Sequence, residues 1–204
     1  MPDIMQLVAA MFERPSPIIV RAADTPAQPW RNGSGRTREL LTRPAGAREW
    51  ALRISLAEVD RDGPFSAFPG IERWFSVIDG AGVRLSLQGR QHELPPGHAP
   101  LRFSGDDPVF CSLIDGATSD LNLMYAGGKG LMQPALSGGG WRCALPARGV
   151  FTRTAGQWYQ PGMAPLRLPA HCLLWVDAAG DAEWRFTADD STAAVPAIWL
   201  GHAP

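Results

Sequence analysis

The sequence lacks an excess of charge of either sign. It has 19 Lys and Arg against 20 Asp and Glu, so the net charge is −1 at pH 7. A protein that binds nucleic acid needs a basic surface to neutralise the phosphates. This chain has no basic surplus and no run of like charges, so nucleic acid is not an expected partner.

Long apolar runs and cysteines are also scarce. No stretch reaches the roughly 18 to 20 apolar residues of a membrane-spanning helix. The N-terminus carries Asp3 without the early Lys or Arg of a secretion signal. Cys111, Cys143 and Cys172 are widely spaced and form no CxxC pair, so neither a disulfide framework nor a zinc site is expected. These absences predict a cytoplasmic protein with mostly buried, reduced thiols and no membrane partner.

Signatures of metal and cofactor sites are missing as well. No HxH pair, which would place two imidazoles on one strand face, occurs among His92, His98, His171 and His202. The run at residues 60–63 begins like a calcium loop but lacks the third acidic ligand and the distal Glu. The glycine-rich stretches 33–36 and 127–130 lack the spacing of phosphate-binding loops, and no GxSxG is present. The sequence therefore predicts neither a metal nor a cofactor.

Turn-forming residues are abundant, with 22 Gly and 19 Pro. Between them apolar residues recur with period two, as in Trp50–Leu56, which is typical of a strand with one buried face. Further strands are predicted at Arg73–Ile78, Val83–Leu87, Val109–Ile114, Leu121–Tyr125, Leu173–Val176, Trp184–Phe186 and Ala197–Leu200. Closely spaced strands without long helical patterns between them predict an all-β sandwich, jelly roll or barrel.

The first residues follow a helical period instead. Asp3 is a candidate N-cap with Gln6 as its capping-box partner. One helical face then carries Ile4, Leu7, Val8, Met11 and Phe12. We predict a short helix in an extension at residues 1–17. Its apolar face packs on the protein's own sheet, docks on a second subunit in a homodimer, or belongs to a loose extension.

Polar residues occupy one face of two predicted strands. Asp120, Asn122 and Met124 share one face of the later strand, and Arg53 and Ser55 oppose the apolar face of the earlier one. In antiparallel sheets such a face commonly looks at water, whereas in a closed barrel it lines the interior. Periodicity alone favours the first interpretation. The second would make Arg53 the partner of an anionic ligand.

Four ordered blocks of sequence resemble the HutD/Ves family. They are PWRNGSGRTRE at 29–39, RIS with AEV at 53–59, DGPFSAFPG at 62–70 with Arg73, and FSG at 103–105 with DLNLM at 120–124. Ser34 replaces the middle glycine of the family's opening signature, which narrows the backbone freedom there. Four blocks in order are far more specific than any one of them.

The resemblance implies a cupin-type double-stranded β-helix, a jelly-roll barrel, with two such barrels in a bicupin. Glycine clusters at 127–130 and 138–140 mark a soft boundary. We therefore expect a first barrel at 18–130 and a smaller one at 131–204, with exchange of strands between them left open. The resemblance also implies no metal and a link to bacterial histidine utilisation. There the family is thought to sense or buffer an intermediate such as formylglutamate, and its Ves branch is linked to stress.

The matched blocks carry the candidate ligand-binding residues Trp30, Asn32, Glu39, Arg53, Ser66, Phe68, Arg73, Asp120 and Asn122. In a pocket for a small polar or anionic metabolite, the arginines would supply charge, the Asn and Ser side chains hydrogen bonds, and the aromatic residues a wall. Glu39 and Asp120 would orient the arginines, or one of them would act as a general base. The structural alternative is a plain core with an ion pair between Arg73 and Asp120.

The function predicted first is a metal-independent binding protein that senses or buffers an intermediate of histidine degradation. Two alternatives stay open. One is a metal-free enzyme, an isomerase or hydrolase acting on a small acyl-amino acid, in which a buried carboxyl does acid–base chemistry. The other is a protein-interaction module that uses the amphipathic start or an outer barrel face.

Overall fold

Short apolar and alternating runs between turns form strands along the whole described chain. The computed structural model describes residues 16–30, 33–190 and 192–204, which form 19 β-strands and one 3-10 helix at Ala22–Asp24. The prediction of an all-β fold is confirmed. The short helix predicted in the extension at residues 1–17 has its apolar pattern in the first 15 residues. These and the candidate Asn32 lie outside the described residues. Within the described ranges, no helix is long and apolar enough to cross a bilayer.

The strands are numbered in chain order. They are β1 (Ile18–Arg21), β2 (Ala27–Pro29), β3 (Gly35–Arg43), β4 (Leu52–Val59), β5 (Gly63–Pro64), β6 (Ile71–Asp79), β7 (Val83–Leu87), β8 (Arg90–Leu94), β9 (Leu101–Ser104), β10 (Val109–Leu113), β11 (Thr118–Ala126), β12 (Lys129–Ala135), β13 (Gly140–Trp141), β14 (Ala147–Thr152), β15 (Gly156–Tyr159), β16 (Leu166–Leu168), β17 (Cys172–Val176), β18 (Trp184–Ala188) and β19 (Ala197–Ala203).

These strands build two barrels, each from a larger and a smaller antiparallel sheet. In the first barrel a six-stranded sheet of order β2-β3-β4-β11-β6-β9 faces a four-stranded sheet of order β5-β10-β7-β8. In the second barrel a five-stranded sheet of order β1-β17-β14-β19-β12 faces a four-stranded sheet of order β13-β18-β15-β16. Strand β1 precedes the first barrel in the chain but pairs with β17 of the second. The boundary predicted at residues 130 and 131 falls inside β12 and stays a prediction.

The two larger sheets pack against each other through their apolar faces. Alternate residues of β4 and β11 are buried in one cluster with residues of β14, β17 and β19; its members include Leu52, Ile54, Leu56, Leu121, Leu123, Phe151, Leu173, Trp175, Ile198 and Leu200. Because successive side chains point to opposite faces of a strand, this packing turns the polar faces of β4 and β11 toward the interior of the first barrel.

The two interiors are filled differently. In the second barrel Trp141, Trp158, Trp184 and Trp199 are buried together. Trp141 stacks on Trp199 with ring centroids 4.8 Å apart, and Trp158 meets Trp184 edge-on at 5.0 Å, which are favourable aromatic geometries. The apolar cluster of the first barrel lines mainly the side of its smaller sheet and includes Cys111. Burial raises the pKa of the Cys111 thiol to about 12.

Polar contacts join the two barrels at the margin of this packing. Arg43 of β3 donates two hydrogen bonds, of 2.9 and 2.7 Å, to the carboxylate of Asp177, which follows β17. His171, which precedes β17, places Nε2 2.8 Å from Oδ2 of Asp79 at the end of β6. This contact lowers the pKa of Asp79 and raises that of His171, although burial opposes both shifts.

We expect the Asp79–His171 pair to stabilise the protein only within a pH window. Because the folded state raises the pKa of His171, this residue stabilises the protein fully below pH 6.5, the ordinary pKa of histidine. That stabilisation is lost as the pH rises through the raised pKa. Because the folded state lowers the pKa of Asp79, this residue stabilises the protein fully above pH 3.8, the ordinary pKa of aspartate. That stabilisation is lost as the pH falls through the lowered pKa.

Urea unfolding of wild type and His171→Asn over a pH series measures this window. Asn tolerates the positive φ of 52° at this position. The loss of unfolding free energy in the variant should be largest between about pH 4 and 6.5 and should shrink on both sides. His92→Asn in β8 is the control; a flat difference for His171→Asn would contradict the expectation.

Candidate functional site

Three side chains form a row on the inner face of the six-stranded sheet, which we call the floor of the first barrel. Met124 of β11 pairs with Arg53 of β4 on one side and with Arg73 of β6 on the other. Since neighbouring strands lie about 4.8 Å apart, the backbones of the two arginines are separated by about twice that spacing, with Met124 between them. The adjacent row on the same face holds Ser55 and Asn122. The sheet thereby brings two cations, a hydroxyl and an amide to one face.

Arg73 is a buried cation with one polar partner. Its side chain is part of a residue only 7% exposed, and its Nη2 donates a 3.1 Å hydrogen bond to Oδ1 of Asn122. Its Nε has no hydrogen-bond partner in the described part of the chain. Burial, and then the charge of Arg53, lower the pKa of Arg73 to about 10, so the guanidinium is still charged at neutral pH.

Three phenyl rings surround this guanidinium. Its central carbon lies 5.1 Å from the ring centroid of Phe65, 5.6 Å from that of Phe68 and 5.0 Å from that of Phe103. Ring faces attract a cation but do not replace the hydrogen bonds it loses on leaving water. The rings therefore shield Arg73 from solvent and leave its unpaired edge for another partner.

Phe65 and Phe68 belong to a crossing segment, residues 62–70, which contains β5, leads into β6 and lines the first barrel's interior. The Phe65 N–H donates to the carbonyl of Val109, and the Phe68 N–H donates to that of Gly105, at 2.9 and 2.8 Å. Gly105 in turn donates to the carbonyl of Ile71 at 2.6 Å. A Cβ at Gly105 would overlap the backbone oxygens of Phe68 and Ile71. A glycine is therefore required where this segment is anchored.

Arg53 differs from Arg73 because it already has an acidic neighbour. Its Nε lies 3.0 Å from Oε2 of Glu39 on β3, although the N–H is not aligned for a hydrogen bond. Its guanidinium also lies 5.9 Å from the ring centroid of Trp50. Glu39 thus offsets the charge of Arg53 and leaves Arg73 as the uncompensated cation of the floor.

Trp30 closes the side of the barrel next to β2. Its Nε1 donates a 2.7 Å hydrogen bond to the hydroxyl of Thr37, which fixes the indole ring. The ring packs close to Gly35, where a Cβ would lie 3.1 Å from it. Gly33 has a φ of +66°, a conformation suited to glycine, and donates to the Trp30 carbonyl to close the turn.

Asp120 lies on the same face of β11 as Asn122 but is sealed off, with 0% exposure. Its Oδ2 accepts a 3.0 Å hydrogen bond from the Thr118 hydroxyl, and its Oδ1 has no partner among the described residues. Burial raises the pKa of Asp120 to about 7, against the effect of Thr118. Asp120 does not reach Arg73, so the ion pair considered as a structural alternative is not formed.

These groups surround a cavity of about 400 Å³. Six of the nine residues nominated from the sequence line it: Trp30, Arg53, Ser66, Phe68, Arg73 and Asn122. Glu39 and Asp120 do not line the cavity, although Glu39 lies next to Arg53, which does. Asn32 lies outside the described residues. That any of them binds a ligand stays a prediction. In the described ranges, no three His, Cys, Asp or Glu side chains cluster around a common point suited to a metal ion.

The sequence did not nominate several lining residues, among them Gln28, Thr37, Phe65, Phe75 and Met124. Gln28 pairs with Thr37 across β2 and β3. The available signal was alternation along β3, where Thr37 and Glu39 share a face, but a register shift near residue 40 breaks the period. Phe65 lies inside the matched DGPFSAFPG block and could have been chosen with Phe68.

The model of one protein family, HutD, matches residues 22–195 and so includes every lining residue of the cavity. The chain belongs to the HutD family. This confirms the resemblance carried by the four sequence blocks. All four blocks place residues at the cavity or hold the segments that line it.

Two curated relatives of this HutD-family chain illustrate the match. An uncharacterized 21.2 kDa protein in the hutC 3' region of Pseudomonas putida is 40% identical over 111 residues, 53% of this chain and 57% of the relative. Protein Ves of Cronobacter sakazakii is 30% identical over 158 residues, 70% of this chain and 87% of the relative. The chain thus spans a little over half the length of the P. putida relative.

Solved structures agree over more of the chain. A conserved protein of unknown function from Pseudomonas aeruginosa PAO1 is 30% identical with a TM-score of 0.82, and covers 93% of this chain and 100% of its own. HutD from Pseudomonas fluorescens SBW25 is 28% identical with a TM-score of 0.76 over the same shares. E. coli Ylba, at 10% identity, 94% and 92% coverage and a TM-score of 0.67, shares the fold alone. The predicted cupin-type bicupin fold is confirmed.

We expect Gly105→Ala to loosen the crossing segment and lower stability. The added methyl has no room between the Phe68 and Ile71 carbonyls, so the unfolding free energy should fall by about 1–3 kcal/mol. Gly63→Ala is the matched control because a Cβ there meets nothing within 4 Å and φ is not positive. It should stay within about 0.5 kcal/mol of wild type in chemical denaturation. Equal losses in both variants would contradict the anchoring role.

Proposed function

We propose that the cavity of the first barrel binds a small anionic metabolite and that Arg73 is its main electrostatic partner. The observation that carries this proposal is the state of Arg73, which is buried and charged, lacks a carboxylate within ion-pair distance in the described chain, and has an unpaired Nε. Burying an uncompensated charge costs several kcal/mol. A bound carboxylate would remove that cost, because it accepts two parallel hydrogen bonds from a guanidinium.

The rest of the cavity supports a ligand of metabolite size. Its volume of about 400 Å³ lies in the range of small-molecule sites, which are mostly apolar with a few placed polar groups. Arg73, Arg53 and Asn122 form a cationic end beside the phenyl rings of the crossing segment. Gln28 and Thr37 form a neutral, hydrogen-bonding end near Trp30. An acyl-amino acid, with carboxylates and an amide, matches this distribution.

Family membership points to the kind of metabolite. The P. putida relative is named for the region 3' of hutC, and a solved homologue is named HutD. Together with the cationic site, this supports an intermediate of histidine degradation such as formylglutamate, which the chain would sense or buffer in the cytoplasm. One carboxylate would meet Arg73, and the other would meet Arg53 in competition with Glu39.

We expect Arg73→Gln to weaken binding of formylglutamate by about tenfold or more, because a charge-assisted hydrogen-bond pair is lost. Calorimetry on the wild type, the variant and Arg84→Gln gives the three affinities. Arg84 is an exposed arginine paired with Glu93 outside the cavity, so its variant should bind like wild type. Melting curves check that each variant is folded.

Formylglutamate should also raise the melting temperature of wild type, because a ligand that binds only the folded state stabilises it. Urocanate and formiminoglutamate form the rest of the panel. The proposal fails if none of these compounds shifts the melting temperature at millimolar levels, or if Arg73→Gln and wild type bind equally.

The buried carboxyl of Asp120 is the one observation that favours an enzyme. A carboxyl with a pKa near 7 suits acid–base chemistry. Asp120 does not line the cavity, however, so its carboxyl would not contact a ligand bound there. The binding function is therefore the better match to the geometry.

Long incubation of saturating formylglutamate with wild type should return the compound unchanged, as followed by NMR of its formyl proton. Asp120→Asn is the companion variant because it keeps the size of the side chain while removing its acid. Product formation that Asp120→Asn abolishes, with binding retained, would replace the binding function by a metal-free enzyme.

A further inference from the structure

The second barrel contains a smaller cavity of about 160 Å³ at one end. Trp158 and Gln160, at the end of β15, line it together with Met163, Val176 and the loop between β17 and β18. Its volume equals about five times the share of one molecule in liquid water, roughly 30 Å³. It is separate from the cavity of the first barrel and shares no lining residue with it.

Arg148 holds the loop that closes this cavity. Its Nη1 and Nη2 donate hydrogen bonds of 2.9 and 2.8 Å to the carbonyls of Ala182 and Ala179. The guanidinium is fully buried against Trp184, whose ring centroid lies 4.8 Å away. A buried side chain therefore fixes the loop, so this wall of the cavity has a defined position.

Two hydrogen-bond donors of residues that line the cavity have no acceptor in the described chain, and one of them, the Trp158 indole N–H, is fully buried. Trp158 is 0% exposed, and its Nε1 makes no hydrogen bond in the described chain. Gln160 is 5% exposed, and its Oε1 accepts the indole N–H of Trp184 at 2.6 Å. Since an indole N–H only donates, the amide orientation of Gln160 is determined, and its Nε2 has no acceptor among the described residues.

An unpaired buried donor is costly, and one on a cavity wall is satisfied when an acceptor enters. Trp141 differs from Trp158 in this respect: its Nε1 is also unpaired, but Trp141 does not line the cavity, so a ligand there would not reach it. Asp181, which also lines the cavity and is exposed, adds an acceptor at the rim. Two donors inside, an acceptor at the rim and apolar walls of Met163 and Val176 match a carboxamide with a short apolar body.

We propose that this cavity is a second binding site, which takes a small uncharged carboxamide. The carbonyl oxygen accepts from Trp158 Nε1 and Gln160 Nε2, and the amide N–H faces Asp181. The site does not depend on the anion site of the first barrel.

Butyramide is the probe, added to the full-length ¹⁵N-labelled protein while the tryptophan indole N–H signals are followed by NMR. The Trp158 signal, assigned by its absence in Trp158→Phe, should move with a saturable dependence and a dissociation constant on the order of 1 mM, as suits a ligand of this size. Butyrate should bind more weakly because Asp181 repels its charge. Arg73→Gln should leave the butyramide titration unchanged.

Gln160→Leu and Ala178→Leu test the site itself. Gln160→Leu removes one donor, and Ala178→Leu places a larger side chain at an exposed position of the cavity lining. Both should weaken the Trp158 response by about tenfold or more, whereas Ala117→Leu, at an exposed position in the first barrel, should not. The proposal is overturned if the Trp158 signal shows no saturable shift, if butyrate binds more tightly, or if the shift survives in both variants.

Discussion

The packing of the two larger sheets against each other is the constraint on which the rest of the structure depends. Leu52, Ile54 and Leu56 of β4 are buried against the second barrel together with Leu121 and Leu123 of β11. A strand has only two faces, so once the apolar face is used between barrels, the polar face must line the interior. The burial of Ser55, Arg73 and Asn122 follows from this arrangement. Both barrels contribute residues to this shared cluster, and each has a further apolar cluster of its own.

That arrangement also explains how the floor of the first barrel carries charge. Arg53 is offset by Glu39, whereas Arg73 has an amide and three phenyl rings but no carboxylate within ion-pair distance in the described chain. A buried guanidinium without a carboxylate partner lowers the stability of the ligand-free protein. It strengthens the binding of an anion, because the guanidinium has already been removed from water during folding. The second barrel uses aromatic residues for a different purpose: its buried tryptophans pack together in the interior, and a small cavity lies at one end.

Strands with regular alternation and clear turns were predictable, and others were not. The bounds of β7 match the prediction of Val83–Leu87, because a turn and strict alternation delimit it. Strand β14 was missed since all six of its residues are buried, on both faces, and such a run has no period of two. The bulge near residue 40 hid the alternation of β3. For the site, the matched blocks identified six lining residues, but Phe103 was outside the nominated set although it contacts Arg73 directly.

The sequence by itself determined the all-β class, the alternation of β4 and β11 and, through its blocks, the family, because these depend on local periodicity and on short ordered motifs. It could not determine which face of those strands is inside, since a polar face occurs both against water, the commoner case, and in a barrel interior. Only the tertiary structure decided that, by placing a second barrel against the apolar face. The pairing register of β6 with β11, which is also a tertiary contact, decided that Arg73 meets Asn122 rather than Asp120.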